Sequence, residues 1–355
     1  MRYCAFPNYK RAKYFFSCDH YNVFKKGLFF YPSFSLEAKI KQTILKFLYP
    51  ILNIKELITL DELLRELKLT EIYEHTAKYG EWINLYRPSK NKIIVQLFNK
   101  KREELFYLKI GLTGAGKKQV YHEKEVIDFL DRKSPKKFEF PRLIDYYESI
   151  PNNAIILTSL HSLEYPKSFS TLEIIPIVKE IYELDKRKMD SDYRKFFLGT
   201  IKKSKYARIL YPVAEDIFRN ISKEKVYIGF YHGDFKSWNI LRNLNTGKFF
   251  IIDWEFANTI GMPLWDVFSF ILQPVILLKP YWSYKKIYKY LIKNILFVSL
   301  NGETSMSLEM MMNFLILYLC YTIAFFSAYE NEDKITQKSI VKMLRILELC
   351  VEKKY

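Results

Sequence analysis

The sequence predicts an α+β chain: a small antiparallel sheet with one helix, then a helix-rich lobe, preceded by a mainly helical extension. Three observations carry that expectation. Short apolar runs with strand spacing fall at 93–98 and 105–110, and twice within "PRLIDYYESIPNNAIILTSL". From about residue 163 onward apolar residues recur instead at helical intervals over long stretches. Glycine is scarce, 11 in 355 residues, so neither a glycine-rich repeat nor a loop-dominated fold fits.

Taken in order, residues 1–87 form the extension. "SLEAKIKQTILKFLYPIL" and "TLDELLRELKLTEIYEHTAKYG" both space their apolar residues as helices do. The second has a clear start, with Thr59 as N-cap and Asp61 and Glu62 in the first turn, where the helix dipole favours acids. Residues 88–160 form a sheet-bearing lobe. In "NKIIVQLFNKKREELFYLKIG" two runs flank a charged turn, as in an antiparallel hairpin. "KKQVYHEKEVIDFLDRK" follows as a helix with Val120, Val126, Ile127 and Leu130 on one side, and Pro151, Asn152 and Asn153 make a turn between two further strands. Residues 161–355 form the helical lobe, with helices at 171–186, 204–222, 265–278, 283–299, 307–328 and 334–352, interrupted once by 229–257.

Bulk properties narrow the classes. Hydrophobic content of 49% with 27% charged residues excludes extended disorder. The formal charge of +17 favours anionic partners such as nucleotides, phosphorylated glycans or an anionic membrane face. The basic pairs are scattered along the chain, and no nucleic-acid readout signature is present, so no specific nucleic-acid partner is expected. Cys4, Cys18, Cys320 and Cys350 make no CxxC pair, zinc spacing or disulfide framework. With no secretory signal visible, reduced thiols and a cytoplasmic setting follow, and the charge suits peripheral contact at the inner membrane face. "MMMNFLILYLCYTIAFFSA" (310–328) is nearly long enough to span a bilayer, but it carries Asn313, Thr322 and Ser327 and lacks adjacent positive charge, which favours a buried helix.

The interrupting stretch is "GFYHGDFKSWNILRNLNTGKFFIIDWEFA". His232, Gly233 and Asp234 sit where an apolar strand turns into a loop, Asn239 follows Asp234 after four intervening residues, and "FFII" leads straight into Asp253. Two short strands joined by a turn would bring Asn239 and Asp253 to one end of a hairpin. Two oxygen donors there suit Mg²⁺, which keeps substrate phosphates and waters as its remaining ligands. Asp234 would then lie near enough to take a proton from a bound hydroxyl, the arrangement phosphoryl transfer needs.

"HGDFKSWNI" with "IIDWEFA" resembles the catalytic core of the aminoglycoside phosphotransferase and choline kinase superfamily. In detail it is similar to members associated with bacterial surface-polysaccharide synthesis. The resemblance implies a bilobal protein-kinase-like fold, use of ATP and Mg²⁺, and phosphorylation of a hydroxyl on a small-molecule or glycan acceptor. It implies Asp234 as catalytic base, Asn239 and Asp253 as metal ligands with Glu255 reaching a second ion, and His232 as organiser of the catalytic loop. Upstream it implies Lys109 as the phosphate-contacting lysine, Glu123 (with Glu125 as rival) as its carboxylate partner, and a nucleotide-binding hinge at Thr158, Ser159 and Leu160. Downstream, in "GMPLWDVFSF", Asp266 would cap a helix and steady the loop. The turn "NKKREE", expected to cover the phosphates, has no glycine.

Other readings compete. "GLTGAGKK" (111–118) satisfies G-x-x-x-x-G-K, but Lys118 replaces the Ser or Thr that a P-loop uses to hold Mg²⁺. His232, Asp234, Asp253 and Glu255 could serve a metallohydrolase, although His20, His75, His122 and His161 form no second motif. A catalytically inactive kinase-like scaffold is the third alternative. Trp238, Trp254, Trp265 and Trp282 are candidates for an acceptor platform or for core.

Overall fold

Short aromatic-rich runs near the start of the chain pair as strands: β1 (Arg2–Phe6), β2 (Tyr14–Ser17) and β3 (Leu57–Thr59). The computed structural model describes residues 2–6, 13–17, 40, 43, 57–101, 104–148, 152–158, 163–166, 170–222, 224–300, 306–327 and 334–352. Helices α1 (Leu60–Leu67) and α2 (Thr70–Thr76) follow. The expected N-cap is present: Thr59 Oγ1 accepts from Glu62 N–H, and the Glu62 carboxylate accepts from Thr59 N–H. Next come β4 (Glu81–Ser89), β5 (Lys92–Asn99), β6 (Glu104–Gly111), α3 (Gly114–Lys133), β7 (Phe138–Glu139), β8 (Leu143–Glu148), β9 (Asn153–Thr158) and β10 (Leu163–Glu164).

The chain divides into two compact units, Met1–Ser134 with Phe138–Tyr165 and Leu241–Phe256, and Pro135–Lys137 with Pro166–Ile240 and Ala257–Tyr355. The first unit is built on an eight-stranded sheet in the order β3-β1-β2-β4-β5-β6-β9-β8, antiparallel at each pairing. The described part of residues 1–87 is therefore not a separate helical extension, and most of the helix expected in "SLEAKIKQTILKFLYPIL" lies outside the described residues. The described part supplies β1, β2, β3 and most of β4 to this sheet alongside the two helices. The reason is non-local: Phe16 pairs with Asn84, and such partners leave no local period to read.

Alternation along the strands sorts the two faces. Val95, Leu97, Leu108 and Ile110 point to one face, where they form a core with Trp82 and with Leu63, Leu64 and Ile72 of α1 and α2. The intervening positions, Lys109 among them, face α3, whose Val120, Ile127 and Leu130 are buried. A polar thread crosses the interior: Ser17 N–H to Asn84 Oδ1 at 3.2 Å, Asn84 Nδ2 to Gln96 Oε1 at 3.0 Å, and Gln96 Nε2 to Tyr107 Oη at 3.1 Å. Satisfied in this way, buried amides fix one strand register over others.

The second unit contains α4 (Thr171–Glu183), β11 (Arg187–Lys188), α5 (Ser191–Lys202), α6 (Ala207–Ile221), β12 (Tyr227–Tyr231), β15 (Asn258–Gly261), α7 (Trp265–Leu278), α8 (Tyr284–Leu300), α9 (Leu308–Ser327) and α10 (Lys334–Glu352). Helix α5, capped by Asp190, was not anticipated from the sequence. Helix α9 carries the stretch checked for membrane spanning; it is long and apolar enough to cross a bilayer, but it packs against α5, α6, α7 and α10. Between β12 and β15 the chain makes a hairpin, β13 (Ile240–Asn243) and β14 (Phe249–Ile251), closed by Asn243 N–H to Lys248 O at 2.9 Å. Asn239 stands one residue before β13 and Asp253 two residues after β14.

Candidate active site

In the first unit two lysines and three carboxylates gather on the α3 face of the sheet. Lys109 Nζ donates to both Glu123 oxygens at 2.7 and 2.8 Å and to Asp253 Oδ1 at 2.7 Å. Burial works against the ammonium charge, but Asp253 and Glu123 beside it outweigh that and hold its pKa above the ordinary lysine range. Glu123 is fully buried, and its Oε1 also accepts from Trp254 N–H at 3.3 Å. Its rival Glu125 lies on the exposed side of α3, paired with Lys124 at 3.0 Å.

Lys92, at the start of β5, donates to Glu255 Oε2 and lies 3.8 Å from Asp253 Oδ1. Burial, and then the charge of Asp253, pushes Glu255 up to about 7, with Lys92 and Lys109 opposing. Asp253 is the member of the cluster that solvent reaches, with 27% of its side chain exposed against 8% for Glu255 and 1% for Glu123. Its φ of +68° is a left-handed conformation that few residues other than glycine adopt. The chain turns sharply there straight after β14, a geometry more often found where a side chain has a task.

These residues fit a hard cation. Oxygens of Glu123, Asp253 and Glu255 all lie within 4.8 Å of one another, and three carboxylates against two ammoniums leave net negative charge. Among the described residues this cluster contains no histidine. His75 is occupied elsewhere, 2.8 Å from Asp145.

In the second unit the residues around Asp234 are held by a separate set of bonds. Tyr231, the last residue of β12, packs edge-on against Trp265 with ring centroids 5.4 Å apart. The chain then reverses through Gly233 at φ +80°, a conformation that glycine adopts at no steric cost. His232 is fully buried; its Nδ1 accepts from Asp234 N–H at 3.2 Å, which requires the tautomer protonated on Nε2. Asn239 Nδ2 donates to Asp234 O at 2.9 Å and to Asp234 Oδ2 at 3.0 Å, so its carbonyl oxygen is the atom suited to a metal. Lys236 pairs with Asp234 Oδ1, a neighbour the sequence reading did not single out.

Asp266 corrects one expectation. It sits in the first turn of α7 but caps nothing there: the N-cap position is Leu264, with no side-chain bond. Its two oxygens instead accept from His232 N–H at 2.8 Å and Gly233 N–H at 3.2 Å. Burial pushes its pKa up to about 7, against the pull of those two amides. A carboxyl whose pKa rises on folding binds its proton more tightly in the native state. Its contribution is then fully present below about pH 4 and fades as pH climbs through about 7. We expect the stability difference between wild type and Asp266→Asn to shrink from pH 4 to pH 8 in paired thermal melts. A constant gap would contradict it.

The turn at Asn99 to Glu104 is not beside the cluster. Lys109 pairs with Ile94, near the other end of β5, so the turn beside it is 89–92, after a strand β4 that the sequence reading had not separated. Gly111 and Gly116 serve packing, whereas a Cβ on Gly114 would meet open space. A Cβ on Gly116 would lie 1.9 Å from the Asn91 carbonyl oxygen, so this turn presses on the start of α3, and an antiparallel strand feeds that helix rather than the parallel strand of a P-loop. Thr158, at the end of β9, exchanges hydrogen bonds with the Arg142 backbone at 2.9 Å; Ser159 and Leu160 lie outside the described residues. Trp254 and Trp265 are core, while Trp238 and Trp282 are partly exposed.

The sequence model of a family described as "Phosphotransferase enzyme family" matches residues 152–279, which hold the whole stretch from His232 to Asp253. No functionally curated protein matches the chain at a significant level. Among solved structures, a macrolide 2'-phosphotransferase type I is 12% identical, covering 81% of this chain and 98% of its own, with a TM-score of 0.50. An ethanolamine kinase of Plasmodium vivax is 14% identical over 95% and 96% of the two chains, with a TM-score of 0.49. An aminoglycoside phosphotransferase of Streptomyces rimosus, solved with ADP and streptomycin, is 12% identical over 72% and 97%, with a TM-score of 0.48.

Proposed function

We propose that this chain, a kinase-fold protein of the aminoglycoside phosphotransferase and choline kinase superfamily, transfers the terminal phosphoryl group of ATP to a hydroxyl of a small molecule or glycan intermediate. The observation that carries the reading is the Lys109 ammonium bound to a helix carboxylate, Glu123, and to Asp253 beyond β14. That arrangement holds a cation for nucleotide phosphates beside a carboxylate suited to Mg²⁺.

In this reading the acceptor oxygen attacks the terminal phosphorus, the bond to the bridging oxygen of the diphosphate breaks, and the hydroxyl proton passes to the Asp234 carboxylate. His232 and Asp266 hold the loop that presents Asp234, and Asn239 and Asp253 are the metal ligands, with Glu255 beside them. Mg²⁺, when bound, neutralises charge that develops on the phosphates. Thr158, with Ser159 and Leu160, is proposed to contact the base. The reading places the enzyme in the cytoplasm, with a positive charge suited to peripheral contact with anionic membrane and a glycan acceptor of surface-polysaccharide synthesis.

The test is label transfer from ATP to sugars, amino alcohols and lipid-linked glycans, alongside thermal stabilisation by ATP with and without Mg²⁺. We expect an Mg²⁺-dependent ATP shift and transfer to one acceptor class. A protein that ATP does not stabilise and that transfers nothing would overturn the reading; one that binds ATP without any transfer would be the inactive scaffold.

A further inference from the structure

We propose that Lys92 is a second phosphate-binding lysine of the nucleotide site, an inference that rests on the phosphotransferase reading above. Lys109, to which the resemblance gives that task, has all three of its N–H donors committed: two to Glu123 and one to Asp253. Lys92 is as deeply buried, yet it donates to Glu255 alone, because 3.8 Å to Asp253 exceeds hydrogen-bond range. Among the described residues, then, two of its three donors have no protein acceptor. A buried ammonium in that state is unfavourable until an acceptor arrives, and phosphate oxygens are the acceptors that a nucleotide brings.

Strand register puts Lys92 in place. Ile94 is the cross-strand partner of Lys109, and Lys92 lies two residues earlier on the same face, which makes the two lysines diagonal neighbours. The ammonium groups consequently converge on the same carboxylates.

The adjoining turn explains why a side chain is needed. A loop that wraps phosphate with its backbone relies on bare N–H groups and on glycine for close approach. Turn 89–92 has no glycine. Asn91 N–H donates to Ser89 Oγ at 3.1 Å, the Asn91 carbonyl accepts from Leu112 N–H at 2.8 Å, and its Oδ1 accepts from Thr113 Oγ1 at 2.8 Å. Gly116 presses against the same carbonyl. The turn is fastened to the start of α3, so phosphate recognition passes from backbone amides to the Lys92 ammonium.

The experiment is calorimetric titration of wild type, Lys92→Met and Lys92→Arg with adenosine, ADP and ATP in the presence of Mg²⁺. Wild type should bind ATP more tightly than adenosine. Lys92→Met should lose about tenfold or more in ATP affinity while adenosine affinity stays within about twofold, and Lys92→Arg should recover most of the loss. Because Lys92→Met leaves Glu255 buried without its cation, the double variant Lys92→Met/Glu255→Gln, compared with Glu255→Gln alone, gives the same reading if the single variant does not fold. An unchanged ATP-to-adenosine ratio in the Met variants overturns the role of Lys92 and leaves the phosphotransferase reading standing. A wild type with no preference for ATP overturns both.

Discussion

Replacing Asp253 by Ala is expected to abolish phosphoryl transfer while leaving the protein folded. The charge balance explains the second half of that expectation. Two ammoniums face three carboxylates, so removing Asp253 leaves two pairs, Lys109 with Glu123 and Lys92 with Glu255, and no buried charge is stranded. The first half follows from what is lost. Asp253 is the cluster carboxylate that solvent reaches, hence the one best placed to meet an incoming metal and nucleotide. Metal-borne charge stabilisation is worth several kcal/mol, so turnover should fall by about 10³-fold or more. Added Mg²⁺ should not restore it. A variant with wild-type turnover would remove Asp253 from the metal site.

Asp234→Asn should separate chemistry from binding. The substitution keeps the size of the side chain and an acceptor for Asn239, but it removes the basic carboxylate and the ion pair with Lys236. A general base contributes about 10²–10⁴ in rate, so kcat should drop by that order. Nucleotide affinity should change little, because the cation cluster around Lys109 belongs to a different set of residues. Steady-state turnover set against calorimetric ATP binding checks the split. Equal losses in both would make Asp234 a binding residue instead.

The sequence reading was strongest where function depends on fixed local spacing. Asp234, Asn239 and Asp253 stand out by spacing within one stretch, whereas Lys109 and Glu123 are named only through the family resemblance, and the structure bonds those two to each other. From residue 204 onward the expected helix ends lie within about three residues of those observed, because long apolar periods are unambiguous. What escaped was non-local. Lys92 opens the strand beside Lys109, but only the β5–β6 register places the two on one face. Asp266 looked like a helix cap because it lies in a first turn. Its real acceptor duty is to amides more than thirty residues earlier, and no periodicity reveals that. Strands β1 and β2 were hidden for the same reason, since a four- or five-residue run has no period of its own.

Those first strands bear on motion. Strand β4, which leads into the turn at 89–92, pairs with β2 over Asn84–Tyr86 and with β5 on the other side, so its middle is held on both edges. A hairpin on the rim of a sheet can peel outward when a ligand enters or leaves. This one is hemmed in, and its amides should exchange with deuterium slowly, in step with the centre of the sheet. If the site takes a nucleotide as proposed, its entry and exit are accommodated by other segments, with the turn as the still point.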